Sequence, residues 1–136
     1  WLSITALSLV FLLSPRAFAE PALEIAINGE THHFAREALL KRPDVTTVEI
    51  AHDVAYGKPM RFRAIPLAVL LPGLDVPADN VLETIAIDGF AAHLPLDLVT
   101  NTDPTKAVAW LAIEPDDARW PTLPGKTASA GPFYIV

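Results

Sequence analysis

The chain has 136 residues, with 16 Asp and Glu against 10 Lys and Arg, a formal charge of −6, 51% apolar residues and no cysteine. The acidic balance, with no basic patch, argues against a nucleic-acid partner. Without thiols this segment has no disulfide staples, thiolate zinc sites, iron–sulfur clusters or covalent haem attachment, so an apolar core must carry its stability.

Residues 1–19 read WLSITALSLVFLLSPRAFA. An apolar run from Ile4 to Leu13 is followed by Pro15 and by Ala17-Phe18-Ala19, with small residues at the two positions a signal peptidase reads. This is the pattern of a secretory signal peptide without its start methionine and basic region. The apolar run is about ten residues against the roughly twenty that span a bilayer, so cleavage after Ala19 is expected rather than a membrane anchor. No stable membrane span would then remain, and the location would be periplasmic or secreted. The domain from Glu20 to Val136 would hold all sixteen acidic residues and nine of the ten basic ones, 9 − 16 = −7.

After the short leader Glu20-Pro21-Ala22, Leu23, Ile25 and Ile27 alternate with Glu24 and Ala26, which predicts a strand ended by the turn Asn28-Gly29. Thr31-His32-His33-Phe34 is its expected hairpin partner. Phe34 to Arg42 reads as a helix with Phe34, Ala38 and Leu39 on one face, Lys41 and Arg42 in its last turn and Pro43 as its stop. Val45 to Ile50 is β-branched and predicts a strand with Thr46, Val48 and Ile50 on one face. Ala51 to Pro59 loses the pattern and reads as a loop.

In Met60-Arg61-Phe62-Arg63 apolar and charged residues alternate, a strand with both arginines on one face. Pro66 opens a short buried helix through Leu67 to Leu71, ended by Pro72-Gly73. Leu74 to Asn80 is turn chemistry. Val81 to Ile87 and Phe90 to Leu94 predict a hairpin around Asp88-Gly89, and Pro95 opens a helix from Leu96 to Val99. Beyond the polar loop Asn101 to Thr105, Lys106 to Ile113 has the strongest strand pattern in the chain. Glu114 to Gly131 is a loop of about eighteen residues, above the usual 12 to 15, a length typical of binding or mobile segments. Phe133 to Val136 is strand-like and stops in mid-pattern, so the domain is expected to continue in the full gene product. No internal repeat is evident. The fold class expected is α+β, β-rich, with a mainly antiparallel sheet and short helices.

Four features in one order, the LEIAING strand and hairpin, the short helix ending at Pro43, the RFRAIPLAVLL segment and the closing GPFYIV strand, resemble the oxidoreductase molybdopterin-binding domain of the sulfite oxidase superfamily. Phe62, Ala64, Pro66, Leu67, Leu70 and Leu71 carry the strand, proline and leucine-rich helix of that family. The resemblance implies the sulfite-oxidase-type fold over nearly all of residues 20–136. Enzymes of the family ligate molybdenum through a cysteine in the loop that here reads Ile50-Ala51-His52-Asp53, without a thiol, and their catalytic domain is roughly twice as long. The chain is most similar to small exported single-domain members. What this implies is a non-catalytic binding or docking domain, with no cofactor expected, for a redox or electron-transfer partner such as a c-type cytochrome by analogy. The alternative is a molybdopterin-dependent oxidoreductase that binds its cofactor without a cysteine ligand, through His52.

The ligand-binding candidates are His52, Asp53, Tyr56, Arg61 and Arg63, the floor of a pocket for an anion, a cofactor fragment or a partner's acidic group. Arg61 and Arg63 equally fit the solvent face of an alternating strand. Arg119 and Trp120, in the polar loop, are the partner-contact candidates. No metal site is assigned: His32 and His33 point to opposite faces of a strand, and His52, Asp53 and His93 lack a ligand spacing. Glu114, Asp116 and Asp117 read as a charged turn, and Trp110 as a core residue. Gly125-Lys126-Thr127 lacks the rest of a phosphate-binding loop.

Overall fold

The computed structural model describes residues 22–27, 30–71, 81–85, 91–103 and 105–136. The leader segment, the turns Asn28-Gly29, Pro72-Gly73 and Asp88-Gly89, the stretch Leu74 to Asn80, and the predicted strand ends Ala86-Ile87 and Phe90 lie outside the described residues. In order, the chain forms β1 (Ala22–Ile27), β2 (Glu30–Ala35), α1 (Arg36–Leu40), β3 (Thr46–Ile50), β4 (Met60–Pro66), a 3-10 helix (Leu67–Leu70), β5 (Val81–Ile85), β6 (Ala91–Pro95), α2 (Leu96–Thr100), β7 (Trp110–Ile113) and β8 (Phe133–Ile135). A four-stranded antiparallel sheet, β3-β4-β7-β8, is accompanied by two hairpins, β1-β2 and β5-β6. This is the β-rich, mainly antiparallel architecture with short helices that the pattern implies.

Side-chain alternation gives the sheet two apolar faces. Ile65, Leu111 and Ile113 point to one, where Ile25, Leu39, Leu67, Leu70, Leu71 and Val99 of the hairpins and helices cover them. Phe62, Ala64 and Ala112 point to the other, which is covered by Tyr56 and Trp120 from the two long loops, with Val48, Leu123 and Tyr134 around them. Burying a side chain such as Phe62 contributes about 1.5–3 kcal/mol.

Two elements are shorter than their patterns suggest. α1 begins at Arg36 because Phe34 and Ala35 stay in the hairpin ladder opposite Leu23 and Ala22. Its inward face is therefore Arg36 and Leu39, and Ala38 is exposed. Lys41 is the C-cap, and its ammonium reaches Glu37 at 2.6 Å. β7 begins only at Trp110, which pairs with Pro66, because β4 ends there in the 3-10 helix and offers no further strand partner. Just before it, the Ala109 carbonyl accepts the Leu67 N–H at 2.9 Å and the Ala107 carbonyl accepts the Asn101 side-chain amide at 2.8 Å.

An internal repeat is present after all, in arrangement more than in residues. Hairpin β1-β2 runs directly into α1 and hairpin β5-β6 directly into α2. Glu24 faces His33 across the first hairpin at 3.3 Å, and Glu83 faces His93 across the second at 3.1 Å. Each helix has an acidic residue in its first turn, Glu37 or Asp97, and buries positions one and four, Arg36 and Leu39 or Leu96 and Val99. Each unit then supplies an adjacent strand pair of the sheet, β3-β4 or β7-β8. The loops inside those pairs, 51–59 and 114–132, consequently emerge at the same end of the sheet.

Candidate functional site

The first of these loops is tied by Asp53, which is 2% exposed. Its Oδ1 accepts the N–H groups of Ala55 (3.0 Å) and Tyr56 (2.9 Å) and the Tyr134 hydroxyl (3.3 Å). Its own N–H donates to the Lys58 carbonyl at 3.0 Å and its carbonyl accepts the Gly57 N–H at 2.8 Å. That closure needs a left-handed residue, and Gly57, at φ +65°, adopts this without a Cβ penalty. The turn drives Tyr56 into the core, where its hydroxyl accepts the Ala130 N–H at 3.0 Å. Burial pushes the Tyr56 phenol above its ordinary value, and burial aided by the Asp53 charge does the same to Tyr134.

Glu114, 4% exposed, does the corresponding work for the second loop. Its Oε1 accepts the Trp120 N–H (2.8 Å) and the Ser129 hydroxyl (3.3 Å), and Oε2 faces the Arg119 guanidinium at 3.2 Å. Arg36, reaching over from α1, donates to the Glu114 carbonyl (3.0 Å) and to Asp116 Oδ1 (2.7 Å), and Arg119 donates to the same Asp116 oxygen (2.8 Å). The Arg36 hydrogen bond, joined by the charges of Arg36 and Arg119, holds the Asp116 carboxyl below the usual carboxylate range. Among the described residues no buried side-chain polar atom lacks a partner.

Under the two loops Tyr56, Phe62, Trp120 and Tyr134 form one aromatic cluster, Phe62 and Trp120 meeting edge to face at 5.0 Å between centroids. Beside the cluster lies a groove of about 310 Å³, lined on one side by Thr47, Arg61, Phe62 and Arg63 and on the other by Pro115, Asp117, Ala118 and Trp120.

The residues singled out from sequence divide among three places. Arg61, Arg63 and Trp120 converge on the groove. Asp53 and Tyr56 lie inside, under the first loop, and His52 is exposed beside them, so these three do not floor an open pocket. Asp53 faces inward because its Oδ1 also takes the hydroxyl of Tyr134 from β8 beneath the loop. Arg61 pairs with Glu49 across β3-β4, and Arg63 donates to the Leu40 carbonyl at 3.2 Å. Arg119 is exposed and joined to Asp116 and Glu114. Trp120 is largely buried, 9% exposed, with its amide held by Glu114, and its ring borders the groove. Sequence reasoning passed over Arg36, Glu114 and Tyr134 as organisers of the site. An arginine on the same helical face as Leu39 is the signal that could have found the first; nothing in the sequence marks the other two.

Loop 51–59 does not assemble a set of metal ligands among the described residues. Asp53 Oδ1 is taken up by its own turn and by Tyr134, and His52 stands away from it in solvent. His93 lies on the second hairpin with Glu83, and no group of three or more His, Asp or Glu among the described residues is placed to hold an ion. No helix among the described residues is long and apolar enough to cross a membrane. No family model, no curated protein and no solved structure matches the chain.

Proposed function

We propose that the chain is an exported, non-catalytic docking domain of the molybdopterin-oxidoreductase-like kind that serves a redox or electron-transfer partner such as a c-type cytochrome. One observation supports this most: the two buried carboxylates are engaged in fixing loops 51–59 and 114–131, through backbone amides of those loops, rather than left open to a ligand. A pre-formed face of this kind suits recognition, because little ordering entropy is lost when a partner arrives. Val54, 92% exposed and the one large apolar side chain so exposed among the described residues, stands on the first loop and offers an apolar contact.

The test uses residues 20–136 exported behind a complete signal peptide. Molybdenum and pterin content are measured, and the chain is titrated against a c-type cytochrome by calorimetry. Saturable binding with negligible metal is the expected result. Molybdenum near one atom per chain, or no heat with oxidised or reduced cytochrome, overturns the proposal.

A further inference from the structure

We infer that Trp120, Tyr134 and Asp53 form a one-electron relay: an oxidant at the groove takes an electron from Trp120, Tyr134 replaces it, and the Tyr134 phenol proton passes to Asp53. The inference goes beyond the docking reading and gives the chain a chemistry of its own. The oxidant must be strong enough to oxidise indole, which means the class of ferryl haem or oxygen-centred radicals.

Each step has its group in place. Trp120 is the one indole that lines the groove among the described residues, and so the ring an oxidant seated there meets. Behind it stands Tyr134 of β8, edge to face with a centroid separation of 6.4 Å. That lies within the roughly 4.5–7 Å of direct ring contact, so an electron crosses without an intervening residue. Phe62 packs against both rings, at 5.0 and 5.7 Å, but a phenyl ring is much harder to oxidise and takes no part.

The phenol end distinguishes a relay from a packed core. Loss of an electron turns a phenol into a strong acid, so a tyrosine is a ready donor only where a base is placed for its proton. The Tyr134 hydroxyl donates to Asp53 Oδ1 at 3.3 Å, and Asp53 is 2% exposed. At rest the proton stays on oxygen, because burial and then the Asp53 charge push the phenol above its ordinary value. It moves only with the electron. Tyr56 is as close to Tyr134, at 6.5 Å, but its hydroxyl accepts the Ala130 N–H and has no hydrogen bond to a carboxylate among the described residues. The oxidising equivalent therefore rests on Tyr134. In balance, the Trp120 radical cation, the Tyr134 phenol and the Asp53 carboxylate become neutral Trp120, the Tyr134 phenoxyl radical and the Asp53 carboxylic acid, while the oxidant has gained one electron.

Trp110 is the internal control. It packs half-buried beside the cluster but makes no contact with its four rings of the kind that joins them to one another.

The test is pulse radiolysis of the exported chain with the azide radical, which oxidises indole in preference to a neutral phenol. Indole-radical decay should be matched by a rise in tyrosyl absorbance, at a rate independent of protein concentration. Trp110→Phe should raise the tyrosyl yield, a gain that loss of fold cannot produce, and Trp120→Phe should remove most of it. Tyr134→Phe should abolish the concentration-independent phase, whereas Tyr56→Phe should leave it in place. Asp53→Asn should slow it by about tenfold or more, the scale of a lost general base, and make its rate rise with buffer base, which the parent rate does not. Urea midpoints of the variants serve as the folding check. Equal yields from Tyr134→Phe and Tyr56→Phe, a yield unchanged by Trp120→Phe, or an Asp53→Asn rate equal to the parent's and blind to buffer overturns the inference. No partner is needed, so failure of the relay leaves the docking reading standing, and a chain that ignores the cytochrome can still show the relay.

Discussion

Gly131 is where the long loop is most sensitive to a single methyl group. A Cβ built there lies 2.7 Å from Glu114 Cδ and 3.2 Å from Oε1, both inside normal van der Waals contact. Gly131→Ala must therefore displace a carboxylate that is itself buried and bonded to the Trp120 amide and the Ser129 hydroxyl. Overpacking of this kind costs about 1–3 kcal/mol, and a buried amide deprived of its acceptor costs about as much again. Since the two overlap when the side chain shifts, roughly 3 kcal/mol is expected. With a urea slope near 1.5 kcal/mol/M this lowers the midpoint by about 2 M, read from tryptophan fluorescence because Trp120 lies at the site. Gly57→Ala is the comparison: its φ of +65° carries a left-handed penalty of about 1–2 kcal/mol, but nothing lies within 4 Å of the added atom. In a Glu114→Ala background the clash is gone, so Gly131→Ala should be nearly neutral there, giving a coupling of about 2–3 kcal/mol. The reasoning fails if Gly131→Ala loses no more than Gly57→Ala, or if its loss persists undiminished without Glu114.

Three further outcomes follow from the same geometry. Asp53→Ala leaves the Ala55 and Tyr56 amides without their acceptor and should cost about 2–4 kcal/mol, whereas Asp53→Asn keeps an acceptor oxygen and should cost about 1 kcal/mol by urea titration. The chain contains two tyrosines, Tyr56 and Tyr134, and both phenols are pushed up, so ultraviolet titration should show no tyrosine ionising at its ordinary pH while the fold persists. Raised acids stabilise below their unfolded pKa, so stability should fall as pH rises past that value, and Tyr56→Phe should lessen the fall. Asp116 has the opposite sign: its carboxyl is held low, so its contribution is present above the ordinary carboxylate range and is lost as pH falls through its folded pKa. Acid-limb urea titrations of Asp116→Asn should show a shallower decline than the parent chain.

Much of the fold was legible because it rests on period and punctuation. The alternation in Met60 to Arg63, the proline at 66 and the apolar run after it gave β4 and the 3-10 helix, and Pro95 marked the start of α2. The site was legible only in part, since its organisation depends on contacts distant in sequence. Nothing near Asp53 says that Tyr134 will donate to its carboxylate, and nothing near Arg36 says that Glu114 and Asp116 will be its acceptors. Trp120 is more buried than its setting suggests, for a related reason. Its neighbours Arg119 and Pro121 suggest an exposed loop, but its backbone amide is anchored six residues back on Glu114.

The repeat explains why the two loops meet and why only one makes a groove. Both hairpin-and-helix units feed strand pairs of one antiparallel sheet, so loops 51–59 and 114–132 leave it at the same end. Both are tied down by an acid buried just past a strand ending in isoleucine, Asp53 after Ile50 and Glu114 after Ile113. The units differ at the first helical position, Arg36 in one and Leu96 in the other. Arg36 bonds outside its own unit. It reaches the start of the other unit's loop at the Glu114 carbonyl and Asp116, and so fixes where the wall of Pro115, Asp117 and Ala118 stands against Arg61 and Arg63. A leucine at position 36 would fill the same space but leave that wall unpositioned. The groove thus arises from the departure between two otherwise similar halves, with the cationic strand supplied by one half and the opposing wall by the other.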